Sequence, residues 1–367
     1  MSNTRLTSCN TPLNLRWIGR LVVAMLTFCL AGCGILNTLS ATADYKKVVS
    51  ESMTSDTMVT ISAPDKSEPA SEGAKKYGLM ALFSHMTYLK HLPLKPTNER
   101  NEDCQKHANL HPMQKIDTRD ASQLPAWRRW NNPAGCHSGE GLYYETYVYG
   151  KADSIERAVI AIRGTENGAD QFWTDWATNF SAVFGIDPSE YQLAREKIQH
   201  TIAKLRTNPK VKIYLTGHSL GGGIAQQIAY TEPENFVAAT YVFNTSPMTN
   251  WSFLATQHPS LVLNTDPLIY RIQERGEAAG LLRWVTTRVN FRRYGRSDHE
   301  FNFSKENPVK THAMNLLACN FARLIEKQPS IAEFDYTPEM ADRVFNDKKN
   351  PGINGEEPLC PTPLLDN

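Results

Sequence analysis

Gly217-His218-Ser219-Leu220-Gly221 stands directly after the apolar run Val211 to Thr216 and directly before a helix-forming stretch that reaches Tyr230. Glycine two positions before and two positions after a serine suits a sharp turn from strand to helix, where neighbouring backbone must approach without a Cβ in the way. Such a turn holds the serine in a strained conformation and projects its hydroxyl at the end of the strand. The main-chain N–H of Leu220, at the helix start, then points to where negative charge grows on an attacked carbonyl oxygen. The chemistry implied is nucleophilic attack by Ser219 on an acyl carbon. The alternative is a glycine-rich helix start that binds phosphate or only packs.

A serine hydroxyl needs a base, and the base an orienting acid, in the chain order serine, acid, histidine for a strand–turn–helix site. After Ser219 the histidines are His258, His299 and His312. Asp266, in Leu261-Val262-Leu263-Asn264-Thr265-Asp266-Pro267, follows an expected strand at Leu261 to Leu263 and is the best-placed acid. An ordinary turn aspartate before proline is its competing reading. His258 precedes Asp266. His312 opens an expected helix directly after a loop and is favoured as base, whereas His299, within SDHEFNFS, reads as a solvated loop histidine. His218, next to the nucleophile, reads as structural.

These residues need a scaffold. Residues 74–89 return apolar side chains at helical spacing, as an amphipathic core helix would. The stretch 93–140 reads as loop. Leu142 to Tyr149 and Arg157 to Arg163 are expected strands joined by a short turn, Glu190 to Arg206 a helix, Val211 to Thr216 a doubly buried strand, and Gly221 to Tyr230 a helix. Phe236 to Phe243 is a further expected strand and Thr311 to Lys327 a closing helix. Alternation of buried strands and helices predicts an α/β fold with a mostly parallel central sheet covered by helices on both faces.

Ile162-Arg163-Gly164-Thr165, Asp175-Trp176, the GHSLGG run, LVLNTDP and the late His312 together resemble the class 3 lipases of the α/β-hydrolase fold, over about residues 74–326. The resemblance implies the triad Ser219, Asp266 and His312, with Thr165 and Leu220 as the oxyanion-hole positions, and no cofactor or metal. It further implies hydrolysis of carboxylic esters of glycerolipids or phospholipids through an acyl-enzyme. The chain departs from the family at Phe243-Asn244-Thr245-Ser246-Pro247, where the family has a glycine before Ser or Ala and Pro, and it lacks a second proline after the acid. It therefore resembles a divergent bacterial branch. The aromatic segment 166–186 lies where the family carries a lid, and the arginine-rich segment 271–296 could meet anionic head groups. An esterase of small soluble esters, or a catalytically silent binding protein of the same fold, are the alternatives.

The N-terminus reads as an export address. Arg5, Arg16 and Arg20 precede a short apolar run, too short to span a bilayer, that ends Leu30-Ala31-Gly32-Cys33. This tetrad resembles the lipobox of bacterial lipoproteins, which implies lipidation of Cys33, and Gly34 in place of an aspartate points to the outer membrane, facing the periplasm or cell surface. On this reading 1–32 is a signal peptide, 33–71 a lipidated tether, 72–330 the hydrolase domain and 331–367 a loop-rich extension. Cys104, Cys136, Cys319 and Cys360 remain, an even set expected to form two disulfides, with 104–136 and 319–360 the local pairing. Zinc bound around Cys104, His107, His111, Cys136 and His137 is the weaker reading, since no compact C-x-x-C pair is present. A net charge of +1, from 39 Lys and Arg against 38 Asp and Glu, provides no chain-wide footprint for nucleic acid. The expected partners are a lipid or ester substrate and a membrane.

Overall fold

The computed structural model describes residues 70–89, 126–139, 141–151, 154–164, 189–246, 259–264, 266–277, 296–303, 311–327 and 333–345. Helix α1 (Ala70–Met86) is followed by strands β1 (Ala126–Arg129), β2 (Cys136–Gly139), β3 (Leu142–Lys151) and β4 (Ser154–Ile162). Helix α2 (Ser189–Leu205), β5 (Lys212–His218), α3 (Leu220–Thr231), β6 (Ala239–Phe243), β7 (Ile269–Glu274) and β8 (Arg296–Phe301) come next. Helices α4 (Met314–Lys327) and α5 (Pro338–Phe345) close the order. Among the described residues the strands form one eight-stranded sheet in which β4 to β8 lie side by side in chain order. Those five strands are parallel; β3 runs antiparallel to β4, and β1 and β2 both pair antiparallel with β3.

Each face of the sheet buries its own apolar layer. Ile160, Ile162, Ile213, Leu215 and Val242 face Ile198, Ile202, Ile224 and Ile228 of α2 and α3. On the other face Val159, Tyr241 and Phe243 meet α1, α4 and α5. Strands covered on both sides read as continuous apolar runs, and IYL and YVF at the centre do. Helix α1 is not amphipathic in its second half: every residue from Tyr77 to Met86 is buried, because the sheet lies on one side and α4 with α5 on the other.

Three sequence expectations are corrected. The stretch 93–140 is not all loop, since Trp127 to Arg129 and Cys136 to Gly139 complete ladders with β3. Residues 333–345 are not a loop-rich extension; Tyr336, Met340, Val344 and Phe345 are core residues. Leu261 to Leu263 is not a strand. Pro259–Leu261 is a 3-10 turn, Leu261 and Leu263 are 40% and 53% exposed, and the N–H groups of Leu263 and Asn264 donate to the carbonyl of Tyr230 at the end of α3. The strand that follows α3 and β6 begins only at Ile269.

Candidate active site

Ser219 ends β5 and heads α3 with φ 55° and ψ −124°, a conformation that costs on the order of 1–3 kcal/mol. The backbone around it is pinned: its N–H donates to the Phe243 carbonyl (3.1 Å), and its own carbonyl accepts from Gly222, Gly223 and Ser246 at 3.1, 3.2 and 2.9 Å. Its side chain caps nothing, so the hydroxyl is not consumed by the helix start. A Cβ on Gly221 would lie 2.3 Å from the Ile162 carbonyl oxygen, so only glycine lets α3 pass this close to β4. Gly164 does the same from the other side, where a Cβ would meet the His218 carbonyl at 2.6 Å and the Ser219 Cβ at 3.1 Å. Leu220 is the first residue of α3, where main-chain N–H groups have no partner within the helix.

His312 lies two residues before α4 and is 5% exposed. Its ring centroid is 4.9 Å from that of His218, which sets the imidazole against the turn carrying Ser219. The residue on its Nδ1 is Glu277, whose Oε2 is 2.6 Å away and whose side chain is fully buried. An ionised carboxylate accepts only, so the proton sits on Nδ1 and Nε2 is left as the basic nitrogen.

Asp266 is elsewhere. It is exposed three residues before β7 begins, its N–H donates to the Asn264 side chain at 3.1 Å, and the charge beside it is Glu234. Partial desolvation first, then Glu234, raise its pKa. In the parallel ladders Ile272 of β7 is level with His218 at the end of β5, so Asp266, six residues earlier, lies toward the opposite end of the strands, about 20 Å back at about 3.3 Å per residue. Glu277, three residues past the end of β7, is at the same edge as Ser219. The expected neighbour of His312 is thus replaced by Glu277.

His299 is on β8, hydrogen-bonded to Tyr77 (3.2 Å) and Ser297 (2.9 Å) in an aromatic layer with Tyr270, away from the turn. His218 is structural as expected, bonded to the Tyr88 hydroxyl (2.9 Å) and to the main-chain oxygen of His312 (2.7 Å). Asn244, at φ 39°, donates to the carbonyls of Thr311 (3.2 Å) and His312 (3.1 Å), while its Oδ1 accepts from the Glu274 N–H (2.8 Å). Thr165, the segments 166–186 and 278–295, Cys33, Cys104 and Cys360 lie outside the described residues. Of the arginine-rich segment, Arg271 is buried against Asp298 at 3.1 Å and so cannot meet a head group, while the exposed Arg275 pairs with Glu300. Cys136 carries a free thiol, so the 104–136 pairing is not made; Cys319 is disulfide-bonded, with a partner outside the described residues. No group of three or more His, Cys, Asp and Glu among the described residues is arranged to hold a metal ion.

Glu277 had one signal in the sequence. It closes the stretch Ile269-Tyr270-Arg271-Ile272-Gln273-Glu274-Arg275-Gly276-Glu277, an acid past a strand, but buried Arg271 and Glu274 break the apolar pattern by which a central strand is recognised.

Residues 100–255, which include the whole turn around Ser219, match the family model of the Tle-like phospholipase domain. Among solved structures the chain is similar to M37 lipase, at 15% identity and a TM-score of 0.39 over 76% of this chain and 98% of that one. It is also similar to the Francisella virulence factor BioJ (11%, TM-score 0.29, 62% and 92%) and to a lipase/esterase from Lactobacillus plantarum (15%, 0.26, 57% and 100%). No curated protein sequence matches the chain. The described residues thus form an α/β fold with a mostly parallel sheet and a strained serine turn at a strand end, and the segment that contains this turn is similar to the Tle-like phospholipase domain.

Proposed function

We propose that the protein is a serine hydrolase that cleaves carboxylic ester bonds of lipids, with Ser219 as nucleophile, His312 as base and Glu277, in place of Asp266, as orienting acid. The observation that carries this is the 2.6 Å bond between buried His312 and buried Glu277, at the sheet edge where Ser219 stands in its strained turn. His312 Nε2 takes the hydroxyl proton as Ser219 Oγ bonds to the acyl carbon. The carbonyl electron pair moves to the oxygen, which the Leu220 N–H and Thr165 receive. Collapse of that intermediate expels the alcohol, which takes its proton from His312. Water, deprotonated by the same nitrogen, then releases the acid and regenerates the serine. Glu277 keeps its negative charge throughout and stabilises the imidazolium.

The phospholipase named in the matched domain supports a phospholipid as substrate. Anchoring by lipid on Cys33 would bring the enzyme to such a substrate, and several buried acyl chains at about 0.8 kcal/mol per methylene hold a protein on a bilayer. The test is turnover by the full-length chain of a phospholipid, a long-chain ester in micelles and a short soluble ester. Long-chain or phospholipid turnover abolished by Ser219→Ala is the expected result. Turnover of short esters alone, with no rise at the micelle threshold, contradicts a lipid substrate.

A further inference from the structure

Three segments of a serine hydrolase site must keep register with one another: the turn with the nucleophile, the strand end that leads to the oxyanion position, and the loop with the base. Here they meet at three polar side chains, the half-buried Tyr88 and the buried His218 and Asn244. The hydroxyl of Tyr88, just past α1, accepts from the N–H of Gly164 at 2.8 Å and lies 2.9 Å from His218 Nδ1. On the far side of that ring, His218 Nε2 lies 2.7 Å from the carbonyl oxygen of His312. A carbonyl can only accept, so Nε2 carries the proton; in the neutral ring Nδ1 is then an acceptor, and the Tyr88 hydroxyl donates to it. Every proton in the chain from Gly164 to His312 is therefore assigned.

The same carbonyl oxygen accepts from Asn244 Nδ2 at 3.1 Å, and Asn244 also takes the Thr311 carbonyl and the Glu274 N–H. Reversing that amide would set its oxygen against two carbonyls, so its orientation is fixed. Asn244 is fully buried, and its φ of 39° is one that asparagine tolerates better than other side chains except glycine. It thereby joins the end of β7, which leads to Glu277, to the loop that carries His312.

We infer that Tyr88, His218 and Asn244 are positioning residues that hold His312 by its main-chain oxygen and tie that hold to Gly164 on one side and to β7 on the other. The inference rests on the hydrolase reading above. None of the three reaches the reacting atoms in it; they set where His312 stands relative to Ser219, and a misplaced base lowers the rate of the chemical step rather than the binding of substrate.

The experiment compares full-length wild type with Tyr88→Phe, Asn244→Gly and Ser219→Ala. Phenylalanine keeps the ring that stands edge-on to His218 at 5.5 Å, and glycine suits the positive φ at 244. Expected for both is a kcat lower by about 10- to 100-fold with KM within about twofold, and labelling of Ser219 by a phosphonate slowed in the same proportion. Nitrogen NMR on ¹⁵N-histidine protein at pH 8 supplies a readout that loss of packing would not move. His218 is expected as the Nε2–H tautomer in both proteins, since the His312 carbonyl remains, but with its Nδ1 resonance shifted in Tyr88→Phe because the hydroxyl that donates to it is gone. Unchanged kcat, or a lower kcat with an unchanged His218 Nδ1 resonance in Tyr88→Phe, overturns the relay while Ser219→Ala still reports a working hydrolase. Wild type that neither turns over any ester nor takes the phosphonate overturns the hydrolase reading, and this inference with it.

Discussion

His85 and Glu232 are buried ionisable residues that the proposed chemistry does not use, and they pull stability in opposite directions with pH. Burial first, and the nearby His218 second, lower the His85 pKa to about 4. The unfolded chain takes up that proton near pH 6.5 and the folded chain does not, so its contribution is whole above 6.5 and is lost as pH falls toward 4, by about 3 kcal/mol. Glu232, at the end of α3, is raised to about 7 by burial, against a smaller lowering from its bond with Gln199. Its contribution is whole below about pH 4.5 and is lost as pH rises through 7. Glu232→Gln should therefore raise the urea unfolding free energy at pH 8 by about 1–3 kcal/mol and change it little at pH 4. His85→Gln should flatten the loss between pH 6.5 and 4 whatever it does to stability at pH 8; an unaltered slope would show that His85 is not the group responsible. The Asn244 side chain that departs from the class 3 pattern holds the backbone of His312, so the departure does not argue for a silent fold.

Among the elements, the β5–turn–α3 unit was legible in the sequence because its glycines and its apolar strand are local signals, and the structure returns it almost residue for residue. Gly221→Ala tests why it is so constrained. A methyl 2.3 Å from the Ile162 oxygen and 2.7 Å from the Arg163 carbonyl carbon meets backbone on β4, which cannot turn aside as a side chain can. The expected cost is about 3 kcal/mol or more, read from urea denaturation; Gly276→Ala, with nothing within 4 Å of a Cβ but a φ of 76°, should cost only the roughly 1–2 kcal/mol of that backbone conformation. Strand β7 was illegible for the opposite reason. Its buried Arg271 is paired with Asp298 on β8, and its buried Glu274 accepts from the Phe303 N–H at 2.6 Å. Both compensations come from residues far along the chain, so no local pattern announces them. Leu261-Val262-Leu263 showed the local signal of a strand, but the N–H groups of Leu263 and Asn264 are used to close α3 instead. Misplacing this strand moved the acid from one end of the sheet to the other.

For the whole molecule, five parallel strands in chain order set one edge at which β5, β6 and β7 deliver Ser219, Asn244 and Glu277. Ligands of open α/β sheets bind at the carboxyl ends of strands, and this rule alone separates Glu277 from Asp266. The fold class was legible from alternation of strand and helix, and so was helix α1, but the burial of every residue from Tyr77 to Met86 was not, since a segment enclosed on every side has no polar face to mark it. For the proposed anchor, Cys33→Ser should move the protein from the membrane to the soluble fraction of cells, and retention in the membrane would contradict lipidation at that residue. The most direct test of the central claim is ester turnover by full-length protein carrying Glu277→Gln beside Asp266→Asn. The account predicts a loss on the order of 10³- to 10⁴-fold in Glu277→Gln, the scale found when a triad acid loses its charge, and activity within about twofold of wild type in Asp266→Asn. Near-wild-type turnover in Glu277→Gln, or a comparable collapse in Asp266→Asn, would contradict it.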